Sequence, residues 1–156
     1  MDWLTLAGLA LAALAAGATG ALFPPGAWYK TLVKPAWTPP DWLFPVAWTV
    51  LYAAMVYAAW RVAQAPIELA APALAFWAAQ IVLNALWSPM FFGLHRIGGA
   101  LAVLALLWVA VVATLLLSLR ADLIAGLLLV PYLIWVSYAG ALNAKIWQDN
   151  RRPATA

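Results

Sequence analysis

The chain has 156 residues, of which 68% are hydrophobic and 8% are charged. Ordinary soluble domains are about half apolar and about a quarter charged. A soluble fold of this length has too little interior to bury so much apolar surface, so most of the chain is expected to lie in lipid. The chain contains no cysteine, which excludes disulfides, cysteine-ligated zinc and a thiol nucleophile. Its net charge of +3 comes from basic residues scattered at segment ends, a pattern typical of membrane orientation rather than nucleic-acid binding.

Five apolar segments follow one another along the chain, and each has about the 20 residues that a helix needs to cross a bilayer. The pattern predicts an all-α polytopic membrane protein, a five-transmembrane-helix bundle forming a single domain over residues 1–156. The predicted helices cover residues 3–23, 42–63, 70–92, 98–119 and 123–147. The first segment is interpreted as a retained helix, because Asp2 precedes it and no basic residue does.

The connection between the first two segments, residues 24–41, is long and rich in proline and aromatic residues. Proline removes backbone donors and favours extended conformations, and so many aromatic rings are unfavourable in water. We therefore expect this connection to fold back over the bundle as a lid. The residues that mark it are Pro24, Pro25, Trp28, Tyr29, Pro35, Trp37, Pro39 and Pro40.

The basic residues predict the orientation in the membrane. Six of the eight fall on the side of the lid and the C-terminus, namely Lys30, Lys34, Arg96, Lys145, Arg151 and Arg152, whereas Arg61 and Arg120 fall on the other. Basic residues favour the cytoplasmic face. We expect a multi-pass membrane protein, with the N-terminus outside and the C-terminus cytoplasmic.

Few residues suit conventional catalysis. The five acidic residues lie at segment ends or in connections, no two carboxylates fall together, and no phosphate-binding loop or metal-spaced cluster is present. The single histidine, His95, follows the third segment; an axial haem ligand or an acid/base is one interpretation, and a polar turn residue is the favoured one. No metal site and no obligatory cofactor are predicted.

Three segments carry aromatic or polar side chains four residues apart, which places each pair on one helix face. The pairs are Trp48 with Tyr52, Gln80 with Asn84, and Trp135 with Ala139; Trp87 lies near the second pair. Facing one another, they would form an aromatic box with a few amide groups, a composition that suits a flat apolar ligand. The alternative is that the amides and indoles only join helices.

A ladder of small residues on the third segment, Ala71, Ala75 and Ala79, has the spacing that permits close helix approach. It is interpreted either as a homodimer seam or as packing inside the bundle.

Several separated motifs resemble one known family, that of the tryptophan-rich sensory proteins and translocator proteins (TspO/MBR, the peripheral benzodiazepine receptor family). The lid holds Lys34-Pro35-Ala36-Trp37-Thr38-Pro39-Pro40, similar to the KPxWxPP signature, and continues into Trp42, Pro45, Trp48 and Tyr52. Segment three holds Gln80, Asn84, Trp87 and Pro89, and segment five holds Pro131-Tyr132, Trp135, Ala139, Leu142 and Asn143. The resemblance covers nearly the whole chain. The compact, basic ending looks more like that of bacterial members than of mitochondrial ones, which implies a bacterial membrane.

The resemblance implies a five-helix fold, a homodimer, and a pocket closed by the first loop. Family members bind protoporphyrin IX and haem, and also synthetic isoquinoline carboxamides and benzodiazepines. The side-chain pairs described above and the resemblance together predict the ligand-binding residues. These are Trp37, Pro39, Pro45, Trp48, Tyr52, Gln80, Asn84, Trp87, Ala102, Leu106, Trp135, Ala139 and Leu142. The family's sterol motif is not matched around Ala144-Lys145 and Gln148.

The function expected from these features is an integral membrane receptor or sensor that binds porphyrins and similar flat apolar molecules and modulates tetrapyrrole metabolism or a stress response. Porphyrin or haem would be a ligand, membrane lipid and a second copy the other partners, and no nucleic acid is involved. One alternative is a light- or oxygen-dependent enzyme that degrades porphyrin, with Trp48 and Trp135 as its redox residues. Another is a transporter of porphyrin or sterol.

Overall fold

The computed structural model describes residues 2–151. Met1 and residues 152–156, which include Arg152 of the predicted basic face, lie outside the described residues. Within residues 2–151 the chain is helical, with no strand, and five of its helical stretches are long and apolar enough to cross a membrane. The predicted all-α architecture with five transmembrane helices is therefore confirmed.

The helices have bounds close to those predicted, with differences at proline. They are α1 (Trp3–Leu22), α2 (Ala27–Thr31), α3 (Leu43–Val62), α4 (Ile67–Ser88), α5 (Ile97–Ala121), α6 (Leu123–Leu128) and α7 (Val130–Asn150). A π-helical turn, Pro89–Gly93, continues α4, and Leu94 N donates to Pro89 O at 2.8 Å.

The fifth predicted segment is divided into α6 and α7 at Leu129. Pro131 has no backbone hydrogen and its ring clashes with a carbonyl one turn earlier, so the first turn of a helix is the position where it disturbs the helix least. The structure places Pro131 in that first turn of α7. The break thus has a local cause in the sequence.

The helices pack around a common core, and each contacts at least one other helix. Helix α1 contacts α3 and α4, α4 contacts α5, α5 contacts α7, and α6 contacts α3. The close approach of α1 to α3 depends on small residues, because a Cβ added at Gly17 would lie 3.2 Å from the Tyr52 ring. Buried residues of α3, α5 and α7 form the main core, and Met55, Val111 and Tyr132 lie almost wholly inside it.

The end of the bundle opposite the lid is fastened by an ion pair. Arg61 of α3 donates from Nε and Nη2 to the two carboxylate oxygens of Asp122, at 3.0 and 2.7 Å. Asp122 also accepts from Ala125 N at 2.7 Å, and so caps the N-terminus of α6. The hydrogen bonds from Arg61 are the main cause that lowers the pKa of the Asp122 carboxyl.

Candidate functional site

Four aromatic rings of α3 and α7 converge inside the bundle, and we call Trp48, Tyr52, Tyr132 and Trp135 the aromatic cluster. The ring centroid of Trp48 lies 5.4 Å from that of Tyr52, 6.2 Å from that of Tyr132 and 6.4 Å from that of Trp135. The Trp48 and Trp135 planes are nearly perpendicular, at 87°. Tyr132 is fully buried, and the two indoles are half-buried. The indoles thus form two walls that meet at a corner.

A chain of hydrogen bonds joins the aromatic cluster to α4. The Tyr52 hydroxyl donates to Asn84 Oδ1 at 2.7 Å, Asn84 Nδ2 donates to the Tyr132 hydroxyl at 3.0 Å, and Tyr132 donates to Gln80 Oε1 at 2.7 Å. Gln80 and Asn84 are both buried. The three helices are therefore held by polar contacts at the same place where the rings meet.

Trp87 and Asn143 form a second polar contact, one turn nearer the lid. Trp87 Nε1 donates to Asn143 Oδ1 at 3.0 Å, and Asn143 Nδ2 donates to Ile97 O at 3.0 Å. The Trp87 ring stacks on Phe91 of the π-helical turn at 5.1 Å. Trp87 packs against both the main core and the smaller cluster of buried residues that includes Phe91 and Leu142.

The lid has a short helix at its start, α2, and then runs extended along α7. The rings of α2 pack on Phe91 and Phe92, and three further contacts, which we call the lid contacts, join the lid to His95 and α7. Trp28 of α2 stacks on His95 with centroids 4.1 Å apart. Val33 exchanges two hydrogen bonds with the Asn150 side chain, at 3.0 and 2.9 Å. The Tyr138 hydroxyl donates to Trp37 O at 2.5 Å, and their rings meet edge to face.

These contacts bring the end of the lid beside Trp135 of the aromatic cluster. Asn150 and Tyr138 are separated by 12 residues of α7, or about 18 Å of helix, so the extended part of the lid descends toward Trp135. There Pro39, Pro40 and Leu43 border an apolar groove of about 380 Å³ whose other wall is formed by Pro131, Ile134, Trp135 and Tyr138. The groove gives the outer face of Trp135 access to the surroundings of the protein.

Charged groups around the lid are largely engaged with the protein. Lys34 Nζ donates to Tyr29 O at 2.9 Å and to Leu32 O at 3.3 Å, and lies 4.6 Å above the centre of the Tyr29 ring. Burial raises the pKa of the Tyr29 phenol, so Tyr29 is neutral at physiological pH. Lys145 pairs with Asp149 at 2.6 Å, and Lys30 is exposed.

His95 takes the role of a turn residue in contact with the lid. It has a positive φ of 56°, which non-glycine residues adopt mainly in tight turns, and it is exposed. No group of three or more His, Cys, Asp or Glu residues able to hold a metal ion occurs within residues 2–151.

The structure brings most of the predicted ligand-binding residues together. Trp48, Tyr52, Gln80, Asn84 and Trp135 form one contiguous set through the contacts above. Ala139 packs against the same core. Trp87 borders that core, and Trp37 and Pro39 reach it from the lid.

Four predicted residues are placed elsewhere. Ala102 and Leu106 lie on the exposed side of α5, because the buried side of this helix carries Ala100, Leu104 and Leu107. Pro45 is exposed in the first turn of α3, and Leu142 packs with Phe91, Ala100 and Ile146 instead of with the indoles. The structure therefore does not bring α5 into the candidate site as a wall.

Two residues of the site were not among the predicted set. Tyr132 and Tyr138 lie three residues before and after Trp135, a spacing that puts all three near one face of a helix. This spacing is the sequence signal that identifies them, and their partners, Asn84, Gln80 and the lid, are distant in the chain.

A second groove, of about 560 Å³, opens between α5 and α7 on the outside of the bundle. Trp108 Nε1 donates to the Ser137 hydroxyl at 2.8 Å across it. Its lining is otherwise almost wholly apolar, with small residues at Ala105 and Gly140. It is separate from the aromatic cluster.

Comparison with known proteins gives one consistent family. The model of the TspO/MBR family matches residues 8–148. Protein CrtK of Rhodobacter capsulatus is 55% identical over 142 residues, which cover 90% of this chain and 89% of that protein. The tryptophan-rich sensory protein of Cereibacter sphaeroides is 49% identical over 150 residues, 96% of this chain and 94% of its own. The translocator protein of Bos taurus is 36% identical over 155 residues, 96% of this chain and 92% of its own. With its five spans and this extent of similarity, the chain is an integral, multi-pass membrane protein that belongs to the TspO/MBR family.

Proposed function

We propose that the chain is a membrane receptor or sensor that binds a porphyrin, such as protoporphyrin IX or haem, against Trp48 and Trp135 and beneath the lid. In this role it modulates tetrapyrrole metabolism or a stress response. The observation that carries the proposal is the convergence of four aromatic rings and two buried amides at one place inside an otherwise apolar bundle.

The chemistry of the aromatic cluster fits a flat conjugated ligand. Small-molecule sites are mostly apolar, with a few placed polar groups, and aromatic pairs gain about 0.5–1.5 kcal/mol beyond the area that they bury. Several relatives are named sensory or translocator proteins. The groove beside Trp135 provides the path, and a ligand as large as a porphyrin requires the lid to move away from α7.

Titration with protoporphyrin IX in the dark tests the proposal, because a porphyrin beside Trp48 and Trp135 quenches their fluorescence. Replacing both indoles in Trp48→Phe/Trp135→Phe should weaken binding by about tenfold or more, since two ring contacts are reduced. Trp3→Phe is the matched control, because Trp3 is exposed on α1. Equal affinity of the double variant and the control would contradict the proposal.

A second candidate is the degradation of porphyrin driven by light and molecular oxygen. The close approach of Trp48 to Trp135 and Tyr132 favours it, because all three rings are oxidisable and the Trp48 centroid lies 6.4 and 6.2 Å from the other two. Products that appear under light and oxygen, vanish in Trp48→Phe/Trp135→Phe and are absent in the dark would support this activity. Turnover that persists in the double variant would reject it.

The orientation and the assembly are further parts of the proposal. The basic residues of the lid end favour a cytoplasmic lid, with the N-terminus outside. Ala71, Ala75 and Ala79 are exposed along α4, which suits a homodimer seam between two copies. Cross-linking between Ala75→Cys chains in the membrane tests the seam, with an exposed position on α1, Ala15→Cys, as the control.

A further inference from the structure

The hydrogen bonds between the aromatic cluster and α4 run in one direction. A tyrosine hydroxyl has one hydrogen to donate, and an amide has a separate donor and acceptor. Tyr52 donates to Asn84, Asn84 donates to Tyr132, and Tyr132 gives its single hydrogen to Gln80 Oε1. The chain of bonds therefore ends with the carbonyl of Gln80 occupied.

The other half of the Gln80 amide is left without a partner. Gln80 is 1% exposed, and its Nε2 donates no hydrogen bond to any residue that the structure describes. A buried donor without an acceptor carries a desolvation cost that an arriving acceptor removes. The one comparable atom within residues 2–151 is Trp60 Nε1, which lies toward the opposite end of α3.

The remaining amide and indole groups near Gln80 offer a ligand no free hydrogen-bond acceptor. Asn84 Oδ1 accepts from Tyr52 and one Nδ2 hydrogen goes to Tyr132, so this amide has only one further N–H to donate. The indole nitrogens of Trp48 and Trp135 carry a hydrogen and can only donate. The groups of this site that can form a hydrogen bond with a ligand are thus mainly N–H donors.

We propose that Gln80 determines ligand specificity by donating from Nε2 to an oxygen acceptor, a carboxylate or carbonyl, at the edge of the flat ligand. This inference rests on the proposed porphyrin binding and deepens it. Asn84 is then a positioning residue, and Tyr132 occupies the Gln80 carbonyl, so only the N–H groups of that amide are available to a ligand. A ligand edge that carries no acceptor leaves the buried donor unmatched and binds weakly.

A series of three porphyrins with the same ring separates this inference from general stacking. Mesoporphyrin IX carries two propionates, its dimethyl ester keeps the carbonyl oxygens without charge, and etioporphyrin carries only alkyl groups. Titrated in the dark and without oxygen, in one detergent, the ester should bind about tenfold more tightly than etioporphyrin, which corresponds to one buried hydrogen bond.

The variant Gln80→Met tests whether Gln80 is the donor. It keeps the length of the side chain and removes the amide, so the affinity for the ester should fall by about tenfold while that for etioporphyrin stays within about twofold. Gln64→Met, at an exposed position, is the matched control. Thermal unfolding confirms that each variant is folded, and the wild-type series of porphyrins is independent of that result.

The outcomes are distinct. Weaker binding of the ester alone in Gln80→Met supports the inference. Equal affinity of the wild-type protein for the ester and for etioporphyrin, or an equal loss for both in the variant, overturns the inference and leaves porphyrin binding intact. Failure of the wild-type protein to bind any of the three porphyrins overturns both this inference and the proposed function.

Discussion

The two ends of the helix bundle are held by different kinds of contact. At the end away from the lid, the Arg61 guanidinium and the Asp122 carboxylate share two charged hydrogen bonds, and Asp122 also caps α6. At the lid end the three lid contacts are a ring stack, an amide exchanging hydrogen bonds with one backbone residue, and a single tyrosine hydroxyl.

This difference has a mechanical consequence. A bidentate arginine–carboxylate pair fixes both distance and orientation, so α3 and α6 stay in register. The lid contacts are separate from one another and partly exposed, so each can break without the others. We expect the lid end to open for a ligand while the Arg61–Asp122 end stays closed, and the following predictions test that contrast.

The largest effect is expected at the closed end. Asp122→Ala removes the α6 cap, which alone lowers the free energy of unfolding by about 1 kcal/mol, and it leaves Arg61 without its partner. In detergent the unfolding midpoint should fall by about 2–4 °C or more, with porphyrin affinity unchanged. The midpoint of Asp122→Asn, which preserves a capping side chain, should fall less than that of Asp122→Ala. An equal fall in the midpoint of both variants would show that the cap contributes nothing to the stability of the fold.

The pH dependence of stability should come from the same contact. Because Arg61 lowers the folded-state pKa of Asp122, the carboxylate stabilises the fold above its unfolded pKa of about 3.9. This contribution is lost as the pH falls through the lowered folded value. The difference in midpoint between the wild type and Asp122→Asn should be constant near neutral pH and shrink in acid below about pH 4. A difference that stays constant in acid would contradict this.

A smaller effect is expected at the lid. Asn150→Ala removes both hydrogen bonds to Val33, and the release of bound porphyrin should quicken by about tenfold, with little change in the unfolding midpoint. Stopped-flow displacement measures the release rate. Gln148→Ala, at an exposed position of α7, serves as the control and should release porphyrin at the wild-type rate. Equal rates for the two variants would show that Asn150 does not hold the lid.

The smallest effect is expected for Tyr138→Phe. It removes the hydroxyl that donates to Trp37 O and keeps the edge-to-face ring contact. Release should quicken by about two- to fivefold, as for one partly exposed hydrogen bond. A change larger than that of Asn150→Ala would mean that the lid is fastened mainly at Trp37.

The sequence predicted the five spans well because these depend on composition. Apolar length marks a transmembrane helix, and the prolines of residues 24–41 interrupt helices wherever they lie. The amide pair of Gln80 and Asn84 was also evident, because two polar residues four apart stand out in an apolar helix.

Other features could not be inferred in this way. Helix α5 is apolar on every side in its first half, and its buried polar residues, Thr114 and Ser118, lie in its second half. The sequence near Ala102 and Leu106 therefore did not indicate that these two side chains are exposed. The chain of bonds through Tyr132 joins residues about 50 positions apart, a contact that only the packing of α4 against α7 creates. The break at Leu129 was hidden because proline is common within membrane helices.

Because the natural chain contains no cysteine, a reversible bridge offers the most direct test of a site that is reached by opening the lid. A short thiol cross-link in Val33→Cys/Asn150→Cys fixes the lid to α7, and one in Arg61→Cys/Asp122→Cys fixes the opposite end. We predict that the first bridge stops the association of protoporphyrin IX, that reduction restores it, and that the second bridge leaves the association rate unchanged. Association at the same rate with the lid bridged and unbridged would contradict a ligand held between Trp48 and Trp135 beneath the lid.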